Sequence, residues 1–221
     1  MERARHARGG AVSEAVPPAA LPDTYRRPAG DAQAETKVLG SRFLARAARV
    51  DGLDDVQALL ARLRRAEYDA THHVSAYRLG PETPAERADD DGEPSGSSGA
   101  PVLRQIVARE LWGVAVVVTR WFGGTKLGTG GLMRAYGEAA ALALDAAGAE
   151  TVTRRVPLAV RFAYADTSAA LHAIGRFDAL TLETTYGDDT ALRLAVRASQ
   201  ADALVAAFVD ATAGRGSATT L

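Results

Sequence analysis

Hydrophobic and polar positions along this 221-residue chain fall into short, bounded stretches. Val56, Leu59, Leu60 and Leu63 recur at three- and four-residue spacing. Residues 54–67 therefore read as an amphipathic helix, with Asp51 or Asp54 available as its cap. Val102, Leu103, Ile106 and Val107 give 100–111 a second helical face. Residues 37–50 read as a strand or strand pair, 71–79 as a strand, and the apolar run 114–119 as a buried strand. A helix over 132–147 follows, with Gly148 as its stop. The pattern then restarts: strand 152–164, helix 168–178, strand 180–186, a Gly187-Asp188-Asp189 turn, strand 191–198 and helix 201–213. That β-α-β-β-α order predicts a split-βαβ, ferredoxin-like unit. Its closing strand would have to come from 215–221, a short polar piece expected to be frayed or missing. Residues 80–99 read as a long polar loop. The chain is thus expected to hold a disordered tail over 1–30, an N-terminal domain over 31–148 and a ferredoxin-like domain over 149–221.

Composition narrows the chemistry. Apolar residues make up 47%, enough for a packed core. With no cysteine, disulfides, thiolate metal sites and a cysteine nucleophile are excluded. No apolar run approaches the roughly 18 residues of a membrane span, and the N-terminus has no apolar signal core. A cytoplasmic protein without membrane partners is expected. The net charge of −1 argues against strong non-specific nucleic-acid binding. Its distribution is uneven. Residues 81–93 carry Glu82, Glu86, Asp89, Asp90, Asp91 and Glu93 against Arg87 alone. Residues 94–137 carry Arg104, Arg109, Arg120, Lys126 and Arg134 against Glu110 alone.

Inside that basic block, Gly123, Gly124, Gly128, Gly130 and Gly131 crowd the junction between the 114–119 strand and the next helix. Each glycine costs ordering entropy, so their concentration suggests a purpose. Such a loop exposes backbone N–H groups, and the helix after it adds the positive end of its dipole. With Arg120, Lys126 and Arg134 in or beside it, the segment reads as an anion-binding loop, most plausibly for phosphate. A glycine-rich turn also serves where a chain simply turns sharply. The segment is neither a Walker A loop, because Thr125 precedes Lys126, nor a dinucleotide fingerprint, because Gly128-Thr-Gly130-Gly-Leu-Met lacks the last glycine. Trp121 and Phe122 beside the bases could stack nucleobases or close the sheet.

The other candidates are His72, Asp90, Asp91, Glu93 and Ser95. His72 and His73 are adjacent on a strand and point to opposite faces, so they do not form one metal site. The contiguous acids 89–91 lack the alternation of an EF-hand loop. The Ser-Gly run after them suits a helix start near Pro101. No metal site and no cofactor are expected.

Several runs are dense enough to name a family. These are Thr71-His72, Ala76-Tyr77, Asp90-Asp91-Gly92-Glu93-Pro94-Ser95-Gly96, Gly99-x-Pro101 and Val117-Val-Thr-Arg120-x-Phe122-Gly-Gly-x-Lys126-Leu-Gly-x-Gly130-Gly131-Leu-x-Arg134-Ala-Tyr136. Together they resemble the IMPACT/YigZ family over about residues 36–148, and the remainder is similar to the smaller C-terminal domain of bacterial members. Trp121 stands where the family more often has Tyr, Ser97-Ser98 where it often has Thr-Ala, and Val74 where Cys is common. The resemblance implies an α+β protein. Its N-terminal α/β sandwich would be similar to a ribosomal-protein second domain, and its ferredoxin-like C-terminal domain to one in elongation factor G. Eukaryotic members regulate translation through a further N-terminal domain, so their partner is not carried over. The expectation is a translation-related regulatory protein that binds RNA or the ribosome through the glycine-rich loop. The alternatives are an enzyme acting on a phosphorylated or nucleotide-like small molecule, and a protein–protein adaptor.

Overall fold

A computed structural model describes residues 21–221. Most of the expected tail lies outside the described residues, but 21–30 lie within them and contribute strand β1 (Thr24–Pro28). The chain continues through β2 (Ala32–Val38), β3 (Ser41–Arg49), α1 (Leu53–Ala66), β4 (His72–Arg78), β5 (Glu86–Asp89), α2 (Gly99–Ala108), β6 (Val114–Trp121) and α3 (Gly128–Ala147). Strands β7 (Ala149–Thr153) and β8 (Arg155–Phe162), helix α4 (Thr167–Ile174), strands β9 (Ala179–Tyr186) and β10 (Thr190–Arg197), helix α5 (Ala201–Ala211) and β11 (Ser217–Thr220) complete it. Two compact units result, one of Arg26–Thr151, the other of 21–25 with Val152–Leu221. Strand β1 pairs with β7.

The first unit is built on a five-stranded sheet of order β2-β3-β6-β4-β5, every pair antiparallel. Its central strand explains the apolar run read from the sequence. Val114, Val116 and Val118 pack into a core with α2 and α3, while Ala115 and Val117 pack into a second core with α1. Both faces are covered, so the strand need not alternate with polar residues. Each fully buried valine contributes about 1.5–3 kcal/mol relative to exposure. Helix α1 presents Val56, Leu59 and Leu63 to the sheet. Asp55 Oδ2 caps its start by accepting the amides of Asp51 and Gly52 at 2.8 and 3.2 Å.

The expected stretch 37–50 holds β3 and only the last two residues of β2, which begins at Ala32; the two strands are joined by a two-residue turn in which Leu39 and Gly40 both have positive φ (47° and 81°). Such turns match strand twist in a hairpin. The expected loop 80–99 contains β5, a polar edge strand against β4. Helix α3 starts at Gly128, not at 132. Gly128, Gly130 and Gly131 are therefore part of its first turn, against their low helix propensity.

In the second unit the sheet order is β11-β8-β10-β9, the antiparallel ferredoxin-like arrangement. Leu158, Val160 and Phe162 of β8 and Leu192, Leu194 and Val196 of β10 pack with Leu204 and Phe208 of α5. Phe162 and Phe208 meet edge-on at 6.1 Å. The closing strand is present after all, pairing Ser217 to Thr220 with Arg161 to Leu158. Backbone pairing with β8 makes that strand, and its only apolar contact with the core is Ala218.

Candidate functional site

The acidic loop organises itself first. Asp90 Oδ2 accepts the Gly96 amide at 2.7 Å, and its Oδ1 accepts the Ser98 hydroxyl at 2.7 Å. Oδ1 also accepts the amides of Ser98 and Gly99, at 3.1 and 2.8 Å, so Asp90 rather than Ser98 caps α2. Burial pushes its carboxyl up, but the Ser98 hydroxyl and the amides of Gly96, Gly99 and Ser98 outweigh that, holding it below the usual carboxylate range. Asp91 has positive φ (44°) and binds the His73 amide at 2.6 Å and Arg64 at 2.8 Å. Asp90 and Asp91 thus fold the loop, and Ser95 is exposed.

What the loop positions is Glu93. Its Oε1 accepts Arg120 Nη1 at 2.6 Å and the Tyr136 hydroxyl at 2.7 Å. Burial, then the hydrogen bond and charge of Glu93, push the Tyr136 phenol far above its ordinary value, so it stays a donor. His72 Nε2 lies 3.8 Å from the same oxygen. His72 Nδ1 is 2.8 Å from the Asp91 carbonyl, which can only accept, so Nδ1 carries a proton. Arg120 Nη2 reaches Ser41 Oγ at 3.4 Å, and the guanidinium sits 5.4 and 5.5 Å from the rings of Phe43 and Phe122. Arg120, read from the sequence as an anion contact, lines the candidate recess but is largely buried, with its charge opposed by Glu93.

The glycine-rich segment has divided duties. Gly123 lies against the β2–β3 turn, where a Cβ would come within 1.9 Å of Gly40 C. Its amide donates to Ser41 Oγ at 3.1 Å. Gly124 and Gly128 have φ of 87° and 68°. The opening amides of α3 have no intrahelical acceptor, and no side chain caps them. Glu93 and Pro94 from the acidic loop, Arg120 from β6, and Phe122, Lys126 and Gly128 from the glycine-rich segment line one recess of about 370 Å³. Lys126 has no hydrogen bond or ion pair among the described residues. Arg134 is exposed on α3 and does not line the recess.

A larger groove of about 470 Å³ crosses the sheet of the second unit, but its charged lining residues Arg161, Glu183 and Arg193 are all exposed. The smaller recess, with its buried polar cluster, is the better candidate. Among the described residues, no three His, Asp or Glu side chains are grouped to hold a metal ion. No helix among them is long and apolar enough to cross a membrane. The site list drawn from the sequence lacked Ser41 and Tyr136. Tyr136 was detectable as a polar-tipped aromatic on the apolar face of a helix, which needs a hydroxyl partner. Ser41 gave no signal.

The fold and the recess define a two-domain α+β protein with an enclosed polar cluster beside a glycine-rich helix start. The Impact N-terminal domain matches residues 39–144, and a domain of unknown function, DUF1949, matches 160–215. An IMPACT family member encoded in the pol 5′ region of Thermus thermophilus is 43% identical over 157 residues, 70% of this chain and 84% of that protein. The IMPACT family member YvyE of Bacillus subtilis (strain 168) is 42% identical over 105 residues, and the match spans 48% of each chain. A crystal structure of a hypothetical protein superposes with a TM-score of 0.66 and 27% identity, covering 91% of this chain and 98% of its own. The chain belongs to the IMPACT family.

Proposed function

We propose that this protein is a translation-related regulator that binds RNA or the ribosome by holding phosphate at the glycine-rich start of α3. One observation carries the reading. Lys126, without an ion-pair partner among the described residues, lines the same recess as the uncapped first turn of α3. Cation and helix dipole favour one anion from two directions. Membership of a family whose eukaryotic branch regulates translation supports the cellular role. The test is RNA binding across a salt series. Lys126→Ala in the recess and Arg134→Ala, whose Nη1 lies outside the recess beside Gly130 and would meet a neighbouring phosphate of the strand, should each weaken binding and flatten the log–log salt slope by about 0.7 per lost contact to a single strand. Unchanged binding in both variants would refute the reading.

A second reading is an enzyme acting on a phosphorylated or nucleotide-like molecule, favoured by the 3.8 Å approach of His72 to Glu93. Turnover of a nucleotide panel that disappears in His72→Ala would select it. An adaptor would instead retain its protein partner in a pull-down after nuclease treatment.

A further inference from the structure

Glu93 has an oxygen left over. The residue is 9% exposed and lines the recess. Its Oε1 takes both hydrogen bonds, from Arg120 and Tyr136. Oε2 accepts none from any described residue, yet it is not among the sealed, partnerless atoms of the interior. Oε2 therefore keeps some exposed surface, and Glu93 lines the recess. An oxygen with exposed surface and without a protein donor is hydrated by water, and a ligand that displaces this water must supply a donor in its place. The Arg120 guanidinium already balances the charge of Glu93, so the vacant position calls for a neutral donor rather than a second cation.

The rest of the recess specifies what bears that donor. Lys126 and the amides of Gly128 and Thr129, which line the same recess, favour an anion there. Phe122, 47% exposed, together with Leu127 and Leu132 adds apolar surface to the lining. Anion, flat apolar body and neutral hydroxyl donor are the three parts of a nucleotide with its ribose.

We propose that the recess binds one ribonucleotide. Its phosphate sits at Lys126 and the α3 start, its base lies against Phe122, and a ribose hydroxyl donates to Glu93 Oε2. This rests on the anion reading above and adds to it a means of telling RNA from DNA, since the 2′-hydroxyl is the group that differs. The nucleotide could be free or part of a strand, and the chemistry recognised is the same.

The test compares uridine 5′-monophosphate with its 2′-deoxy form, and one 5′-phosphorylated oligonucleotide as RNA and as DNA, by calorimetry on the full chain. The ribose forms should bind about tenfold tighter, the size of one hydrogen bond to a charged group. Lys126→Ala should weaken both sugars alike and leave the ratio unchanged. Glu93→Gln, with folding checked by melting, should narrow the ratio, because a neutral acceptor makes a weaker bond. If that variant fails to fold, the comparison of sugars in the unaltered protein still decides. Equal affinity for ribose and deoxyribose forms, still dependent on Lys126, overturns this inference and leaves the anion reading standing. No binding of any of the four probes overturns both. Binding of the mononucleotide with the expected ratio supports a free ligand, and the ratio in the oligonucleotides alone supports a strand.

Discussion

Arg120 Nη1 and Glu93 Oε1 lie 2.6 Å apart, with side chains 6% and 4% exposed, and join the end of the central strand to the acidic loop. Twenty-seven residues separate them in sequence. Two charges taken out of water roughly offset each other only while both are present.

Removing one partner should therefore cost more than removing both. Arg120→Ala is expected to destabilise the first unit by about 3–5 kcal/mol, because Glu93 is left buried and unpaired. Adding Glu93→Ala to it should recover part of that loss. Urea unfolding of the two single variants and the double variant measures the coupling; additive losses would show the pair to be energetically independent.

Asp90→Ala should release α2. Four donors from Gly96, Ser98 and Gly99 lose their acceptor. Loss of a helix cap costs about 0.5–2 kcal/mol. Faster amide exchange at Gly96, Ser98 and Gly99 than in the parent would report it directly.

Acid should destabilise the protein in two stages. Burial holds the His73 imidazole below its ordinary 6.5, over the opposing pull of Asp91 and Glu67 and with Arg64 adding slightly to the effect. The unfolded chain then takes up the proton first, so stability is full above about pH 6.5 and declines as pH falls towards the folded value. Asp90, held below its ordinary 3.8, contributes stability above about that pH, which is lost as pH falls through its own folded value. Denaturation midpoints at about pH 7.5 and pH 5 should differ in the parent and differ less in His73→Gln.

Two glycines of the same segment should respond oppositely to alanine. At Gly123 the new Cβ would overlap the Gly40 backbone at 1.9 Å, forcing the β2–β3 turn away from the site. At Gly130 it would meet only Arg134 Nη1 at 3.9 Å, inside a helix. Gly123→Ala should lower the melting temperature sharply. Gly130→Ala should stabilise by up to about 1 kcal/mol.

The two-residue logic of the site also shows what was readable beforehand. The anion loop and the acidic loop were each visible as local composition, glycines with bases at one place and acids with serines at the other. That they share a recess was not visible, because their meeting depends on β4 pairing with β6 and on the Arg120–Glu93 contact across it. Helix α3 was dated four residues late because glycine is a poor helix former, and here burial of Leu132 and Tyr136 below the first turn overrides propensity. Strand β5 was read as loop, and the piece holding β11 was expected to be frayed or missing, for a related reason. Each is held by backbone pairing at a sheet edge, which leaves little trace in side-chain pattern.

The chain by itself determined the run of helices and strands with strong apolar periodicity, the ferredoxin-like order of the second unit and the family, because those are written in spacing and in short contiguous motifs. Only the tertiary structure decided which charges are available. It tied Asp90 and Asp91 into the loop, set Arg120 against Glu93 in the lining of the recess, and left Lys126 there without an ion-pair partner among the described residues. Pairing of buried charges is governed by distances of a few ångströms between residues far apart in sequence, and a linear pattern carries no measure of those.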